Sequence, residues 1–554
     1  MRLELTWPNK DKFLLAPKDE AGKPVWVDPD HPAASEVRLS DFTDAVGEVS
    51  ADNPHTDNLL FTGDSLDVLR ILAEVPEYAR EYRGKVKLVY IDPPFNTGQA
   101  FDHYDDWMEH STWLSFMRDR LLLIKELLAA DGSVWVHLDD AEQHRMRCLL
   151  DEVFGAQNFV ASVAWEKDKG RRNDTAVSGS HDHIHIYAAD RRRWGQSRNL
   201  LPRTKEQEDR YKNPDADARG PWLQGDNGTA KSASASSRWP IELPSGRVVV
   251  PPSGRGWAFG PETFARARAE GRVYFGRNGD GMPIIKKYLT EVQGGVVPRT
   301  WWSADEVGHN QEAKRDHLRR MFPDRPPFST PKPERLLERV IQIGSNPGDI
   351  VLDCFGGSGT TAAVAHKMGR RWVTSEIAAT TVGDYTRPRL ELVVNGDEGG
   401  GITEAVGWAG GGGFRSVSVA LSMYSATPFG VLLAGWATNG RFARAVAGQL
   451  GFDWEPDGAF CGTRGRMRLA VFDGVVGSEE VRQTVAALGD KERVTIVAKA
   501  VLPGADEALK QLSQGSKIRK APRDLLSAGA KRARRRTEAA ERAVQLLVAE
   551  AAVL

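Results

Sequence analysis

Cysteine is scarce: Cys148, Cys354 and Cys461 are the three in a chain of 554 residues. They stand far apart and form no C-x-x-C pair. That excludes a disulfide framework and a cysteine zinc site, and it fits a reducing compartment. No apolar run is long enough to span a bilayer, and the opening MRLELTWPNKDKF lacks the apolar core of a signal peptide. The expectation is therefore a cytoplasmic protein with no membrane partner. An excess of one charge is missing as well. Lysine and arginine number 74 against 75 aspartates and glutamates, for a net charge of −1. This argues against a strongly basic chromatin-type protein and leaves room for a local basic groove. Internal repeats are absent. So is a Walker loop, since GxxxxGK followed by Ser or Thr does not occur.

What is present is the texture of several domains, as the length requires. Residues 1–54 are polar and proline-punctuated and read as an N-terminal arm. From NLLFTGDSLDVLRIL onward, strands and helices alternate. Leu59 to Thr62 and KVKLVYID are apolar on nearly every position, as buried parallel strands are. STWLSFMRDRLLLIKELLAADG is a helix with Gly132 as its stop, and SVWVHLD is a further strand. The pattern predicts a mostly parallel sheet covered on both faces over 55–190. It dissolves over 191–325, a loop-rich block of Arg, Trp, Gly and Pro. It returns over 326–395 with PERLLERVIQIGS, DIVLDCF, TTAAVAHKMG and RRWVTSEI. A glycine-rich joint and a smaller α/β domain with a basic terminal helix fill 396–554.

VLDCFGGSGTTAAVAHKMG is strand, tight turn, helix. Glycine there allows positive φ and close approach of a ligand to the backbone, and the helix start offers free N–H groups. The loop lacks the phosphate-loop lysine. Glu376 falls at the end of the next strand, where an acid accepts hydrogen bonds from ribose hydroxyls. The loop thus predicts a ligand with a ribose and no required phosphate.

VYIDPPFNTG, Val89 to Gly98, puts two prolines after an apolar strand. One reading is a strand end broken by proline. The other is chemical. S-adenosyl-L-methionine is a phosphate-free nucleoside carrying a methyl on a sulfonium. An exocyclic amino group on a base is a poor nucleophile, because its lone pair is delocalised. Two acceptors beside its N–H bonds, the Asp92 carboxylate and the Pro93 carbonyl, favour a pyramidal nitrogen. Pro93 and Pro94 stiffen the loop and remove competing donors. Phe95 offers a flat face for an extruded base. Alignment of nitrogen, methyl and sulfur does the rest, without a metal.

DPPF together with FGGSG resembles the amino-group DNA methyltransferases. The order, catalytic tetrapeptide before cofactor loop with a variable block between, is similar to the beta group, which includes the Mod subunits of Type III restriction-modification systems. RGKVKLVYIDPPFNTG, HDHIHIYA, TPKPERLLERVI and DIVLDCFGGSGTTA carry the resemblance over about residues 55–190 and 325–415. It implies a Rossmann-like methyltransferase core, an inserted target-recognition domain over 191–325 and a C-terminal accessory domain. It implies Asp92, Pro93, Pro94 and Phe95 as the catalytic tetrapeptide. Asp353, Phe355, Gly356, Gly357 and Gly359 match the cofactor loop and Glu376 the ribose acid. Asp64 in FTGD matches an acid beside the cofactor adenine, and Lys332 in TPKP the segment near the methionine moiety. Two positions depart from the pattern: Gly356 stands where Ala is frequent, and Phe95 replaces the commoner Tyr. The activity implied is transfer of a methyl from S-adenosyl-L-methionine to N6 of a flipped adenine in double-stranded DNA. A separate restriction or helicase subunit and a second copy of the chain are candidate partners. N4-cytosine methylation, and a silent DNA-specificity subunit, are the alternatives.

Three further features have bland readings. His181, His183 and His185 alternate on one strand face; with no acidic partner evident they are assigned to a polar surface and no metal is expected. Arg191, Arg192, Arg193, Arg238, Arg255, Trp301 and Trp302 suit phosphate and base contacts, or an ordinary solvated surface with buried tryptophans. The run Lys531 to Arg536 suits DNA phosphates or a solvated helix head.

Overall fold

The computed structural model describes residues 4–527 apart from 17–22, 30, 98–99, 102–103, 106–107, 172, 174, 225–227, 232–233, 327 and 428–429. The basic run 531–536 lies outside the described residues.

The chain divides into two compact units, 200–298 and the remainder. The larger unit is built on a ten-stranded sheet: β1 Ser40–Gly47, β2 Asn58–Thr62, β3 Val86–Ile91, β4 Leu128–Leu138, β5 Phe159–Glu166, β6 His181–Ala188, β7 Trp301–Trp302, β8 Ile350–Asp353, β9 Arg371–Glu376 and β10 Gly413–Val419. Their order is β7-β5-β6-β4-β3-β8-β9-β2-β10-β1. From β4 to β10 all neighbours are parallel. The strand β6 runs antiparallel to β4 and β5, and β1 antiparallel to β10. The result is an α/β fold on a mixed, mostly parallel sheet. β3 is buried at all six positions, which is why it reads as an unbroken apolar run rather than an alternating one.

Helices α1 Ser65–Glu74, α2 His110–Leu127, α3 Glu334–Gly344 and α4 Thr360–Lys367 cover this sheet. α2 stops before the expected Gly132, and Leu128 already pairs with Val86. Gly132 lies inside β4, where a Cβ would sit 2.8 Å from the Val86 carbonyl oxygen. Its glycine serves a close strand contact, not a helix stop.

Two strands come from outside the blocks expected to form the core. β1 belongs to the arm and β10 follows the glycine-rich joint. The arm is seated by Arg70 of α1, which donates to the carbonyls of Ala33, Ala34 and Glu36 at 2.7–3.3 Å. On its other side Gln449 takes the Val37 N–H and donates to the Ser35 carbonyl. Residues 453–520 add a five-stranded sheet with its own apolar clusters.

The smaller unit is narrower than the expected block 191–325. Arg191–Ser197 is a helix capped by Asp190, and Asn199 donates to Gln342 and Ser345, so residues 191–199 group with the larger unit. β7 groups there too, because it pairs with β5. Trp302 is buried against Trp135, a core contact that takes it out of the base-contact candidates. The unit 200–298 has a three-stranded sheet and a small core of Ile241, Leu243, Val249, Trp257, Phe264 and Phe275. Within it Asp215 and Asp217 grip Lys286 at 2.5 and 2.6 Å.

Candidate active site

Four parallel strands end side by side on one sheet edge: β3 at Ile91, β8 at Asp353, β9 at Glu376 and β2 at Thr62. Ligands of open α/β sheets bind beyond such carboxyl ends. A cavity of about 480 Å³ lies there, lined by Asp64, Asp92, Pro94, Lys332, Asp353, Phe355, Gly356, Gly357 and Glu376. Nine of the twelve residues singled out in the sequence thus share one cavity wall. Pro93, Phe95 and Gly359 stand outside that lining. Gly359 is the left-handed N-cap of α4, at φ 79°, a conformation costly for residues with a Cβ.

Asp92 follows the last residue of β3. Its Oδ2 accepts from Lys332 Nζ at 2.5 Å. Its Oδ1 is buried and, among the described residues, has no hydrogen-bond partner. Buried carboxylate oxygens are ordinarily satisfied, so this one is an acceptor held open. Lys332 also lies 5.1 Å from the centre of the Phe95 ring. It therefore stands against the Asp92–Phe95 loop as well as in the lining beside the glycine turn. The Pro94 carbonyl is taken by the Trp113 indole N–H at 2.8 Å.

The loop beyond the prolines is clamped. Asn96 is left-handed, at φ 61°, a conformation asparagine tolerates better than most residues. It donates to Glu142 at 2.6 Å and accepts the Met108 N–H at 2.6 Å. Glu142 is wholly buried and also meets His110 and Arg145. Behind Phe95 lies a buried chain of polar groups. The Phe95 and His137 rings are 5.9 Å apart. Asp182 can only accept, so His137 donates to it from Nε2 at 3.2 Å. Nδ1 then accepts from the Tyr90 hydroxyl at 2.7 Å. Burial pushes His137 below its ordinary value, against the pull of Asp182, so the neutral ring is the working form. Burial alone would raise Asp182. The hydrogen bond from His137 and the charge of Lys167 hold it below the usual carboxylate range instead.

The glycine turn is packed against the next strand. A Cβ on Gly356 would stand 2.5 Å from Thr374 Oγ1 and 3.1 Å from the Ser375 carbonyl oxygen. The residue often Ala in similar loops has no room for that methyl here. The Gly357 N–H donates to Glu376 Oε2 at 3.0 Å, and the Ala378 N–H to Oε1 at 3.0 Å. Each oxygen keeps a lone pair for a ligand hydroxyl. Asp353 accepts the Phe355 N–H at 3.0 Å. Burial pushes its carboxyl up to about 7, with the Asp92 and Glu376 charges adding to the rise. Asp64 caps α1 through the Leu66 N–H at 2.8 Å, and both its oxygens take Arg120 Nη2 at 2.9 Å.

Sequence reasoning missed Trp113, Glu142, Arg120, His137 and Asp182, and the arm residues Phe13 to Ala16 and Arg38 that line the far wall. A signal existed for one element only: Asn96 before Thr-Gly announces a turn needing positive φ. The others are distant in sequence from the groups they hold.

A glycine turn bonded to the acid ending the next strand, beside a proline-stiffened acid, both at the carboxyl edge of a mostly parallel sheet, defines the class: α/β proteins whose ligand cavity opens at the strand ends. The chain belongs to the DNA methylase family (N6_N4_Mtase), which matches residues 86–384. It is 33% identical over 345 residues to the Type III restriction-modification enzyme StyLTI Mod subunit of Salmonella typhimurium, covering 56% of this chain and 50% of that one. It is 29% identical over 318 residues to the Type II methyltransferase M.EcaI of Enterobacter cloacae, covering 54% and 64%. It is 25% identical over 412 residues to the EcoP15I Mod subunit of Escherichia coli, covering 62% and 61%. The matches span one half to two thirds of these relatives' lengths.

Proposed function

We propose that this chain methylates the N6 amino group of an adenine turned out of double-stranded DNA, with S-adenosyl-L-methionine as donor. The observation that carries the reading is the open Asp92 Oδ1 beside the glycine-turn cavity. An exocyclic amine needs an acceptor on its N–H to free its lone pair. Asp92 presents one with its other oxygen tied to Lys332, so the carboxylate cannot swing away. With the Pro94 carbonyl occupied, the Pro93 carbonyl is the second acceptor. Phe95, backed by the neutral His137 ring, is the stacking face for the base.

The residues of the cavity fit the donor. Gly357 and Glu376 form a cradle with lone pairs for ribose hydroxyls, and no lysine-bearing phosphate loop is present. Asp353, buried and near neutral titration, favours a cationic ligand. S-adenosyl-L-methionine supplies an electrophilic methyl on a sulfonium. Asp64, Phe355 and Lys332 would line its other contacts, and the turn around Gly356 excludes water through its close packing on Ser375.

Relatives named as Mod subunits support a place in a restriction-modification system, with cleavage supplied by a separate subunit and a second copy of this chain as a candidate partner. The loop-rich block between the two halves of the core, 191–325 by sequence and centred on the unit 200–298, is assigned to target reading. Among the described residues no helix is long and apolar enough to cross a membrane.

The test is transfer of labelled methyl from the donor to plasmid DNA, followed by digestion to nucleosides and mass spectrometry. N6-methyladenine as the modified base is the expected result. N4-methylcytosine in its place would overturn the choice of base, and no transfer would overturn the enzyme reading.

A further inference from the structure

His181, His183 and His185 of HDHIHIY share one strand face, while the nearest acid in sequence, Asp182, falls on the other. The fold brings an acid to theirs. β6 pairs antiparallel with β4, with His183 opposite Leu138, and Asp140 is two residues past the end of β4. His183 Nε2 lies 3.1 Å from Asp140 Oδ1. His181 and His183 are two apart on one strand, so they share a face, and their rings are 4.9 Å apart. One ligating atom from each of Asp140, His181 and His183 falls within 4.8 Å of the other two.

We infer that Asp140, His181 and His183 form a site for a divalent transition cation of the zinc type. Two imidazoles and one carboxylate are a zinc ligand set, and three protein ligands leave a fourth position open. Bond lengths of about 2.0–2.1 Å in a tetrahedron put ligand atoms roughly 3.3 Å apart. The observed spread closes to that by side-chain rotation, since Asp140 is 71% exposed and free to turn. The neighbouring groups leave the site clear. His185 is turned to the Gln143 carbonyl at 2.9 Å. Asp182 points to the other face, where His137 and Lys167 hold it. No lysine or arginine is paired with Asp140 among the described residues, in contrast to the core cluster of Glu334 and Glu398, whose carboxylates are filled by Lys367 and Arg389. The site sits at the sheet edge where β4 ends, one strand from the Asp92 loop. Its occupancy is separate from the methyl transfer proposed above.

The untagged full chain, stripped with a chelator, is titrated with Zn²⁺ by calorimetry and with Co²⁺ by visible absorption. One equivalent should bind, with the absorption of a tetrahedral cobalt centre. Losing an outer-shell partner already weakens metal sites by about 10–100-fold, so His181→Ala and His183→Ala should each weaken binding by at least roughly tenfold. Asp140→Asn should weaken it too, and the exposed His144→Ala should bind as the native chain does. All four positions lie at or near the surface, and circular dichroism checks that each variant is folded. Native affinity in His183→Ala, or no binding by the native chain, overturns the site.

Discussion

Lys332 meets Asp92 at 2.5 Å on the cavity wall, and Lys367 meets Glu334 at 2.8 Å inside the core. The groups are the same and the surroundings differ. Glu334 takes Lys367 Nζ on both oxygens, Arg389 Nη2 at 2.7 Å and the Ile402 N–H at 2.9 Å. Burial would raise its carboxyl, but the Arg389 and Lys367 charges hold it low. Glu398 and His317 complete this wholly enclosed cluster. Asp92 has one oxygen held and one left open. A buried acid with every lone pair engaged can only fix structure. One with an engaged and an open oxygen has a fixed direction and a remaining valence, which is what an acceptor for an incoming amine requires.

Asp92→Asn should break the open half of this comparison. Methyl transfer is expected to fall by roughly 10²–10³-fold or more, while the donor's affinity, read by calorimetry, stays close to native. A parallel loss of donor affinity would show that Asp92 serves the cofactor. Glu334→Gln should break the closed half. It strips charge from a cluster that keeps two buried cations, at a cost of about 3–5 kcal/mol, visible as a lowered unfolding midpoint. The surviving folded fraction should transfer methyl at the native rate.

A third acid sharpens the contrast. Asp353 is buried without a cation partner and binds its proton more tightly in the folded chain than its ordinary value of 3.8 would allow, at about 7. An acid with a raised folded value loses stability as pH rises from its unfolded to its folded value. The chain should therefore lose stability between about pH 4 and about pH 7 on this account, by something of the order of 2–4 kcal/mol, and level off above. Asp353→Asn should flatten that slope in unfolding curves taken across the window. An unchanged slope would place the titration elsewhere.

Smaller effects should follow at the supports. Gly359→Ala forces a Cβ into a left-handed cap that also approaches Thr386 Cγ2 at 3.1 Å, and should cost about 1–2 kcal/mol of stability. Trp113→Phe keeps the packing and frees the Pro94 carbonyl, a loss of about 1 kcal/mol. If Trp113 only fills space, methyl transfer in that variant will match the native rate. If it fixes the proline loop, transfer will fall by far more than that small loss of stability accounts for.

Much of the frame was legible. Buried parallel strands announce themselves as short apolar runs, and the Asp92 tetrapeptide, the glycine turn and Glu376 each sit at the end of one. Parallel pairing in the order β3-β8-β9, which folding decides, then brings Asp92, Asp353 and Glu376 to one edge. The helix end at Gly132 misled because a glycine serves a stop and a close strand contact equally well. The outer strands β1 and β10 were hidden because the arm is half-exposed and the joint before β10 reads as linker.

The sequence by itself determined which chemical groups stand at the ends of the central strands, since local burial and turn chemistry act over a few residues. Tertiary structure alone decided what each group has left to offer. Lys332 reaches Asp92 across 240 positions, Arg120 reaches Asp64 across 56, and His183 finds Asp140 across 43. Whether a carboxylate oxygen is engaged or open depends on such partners, and hydrogen bonds between side chains brought together by folding leave no periodicity in the chain.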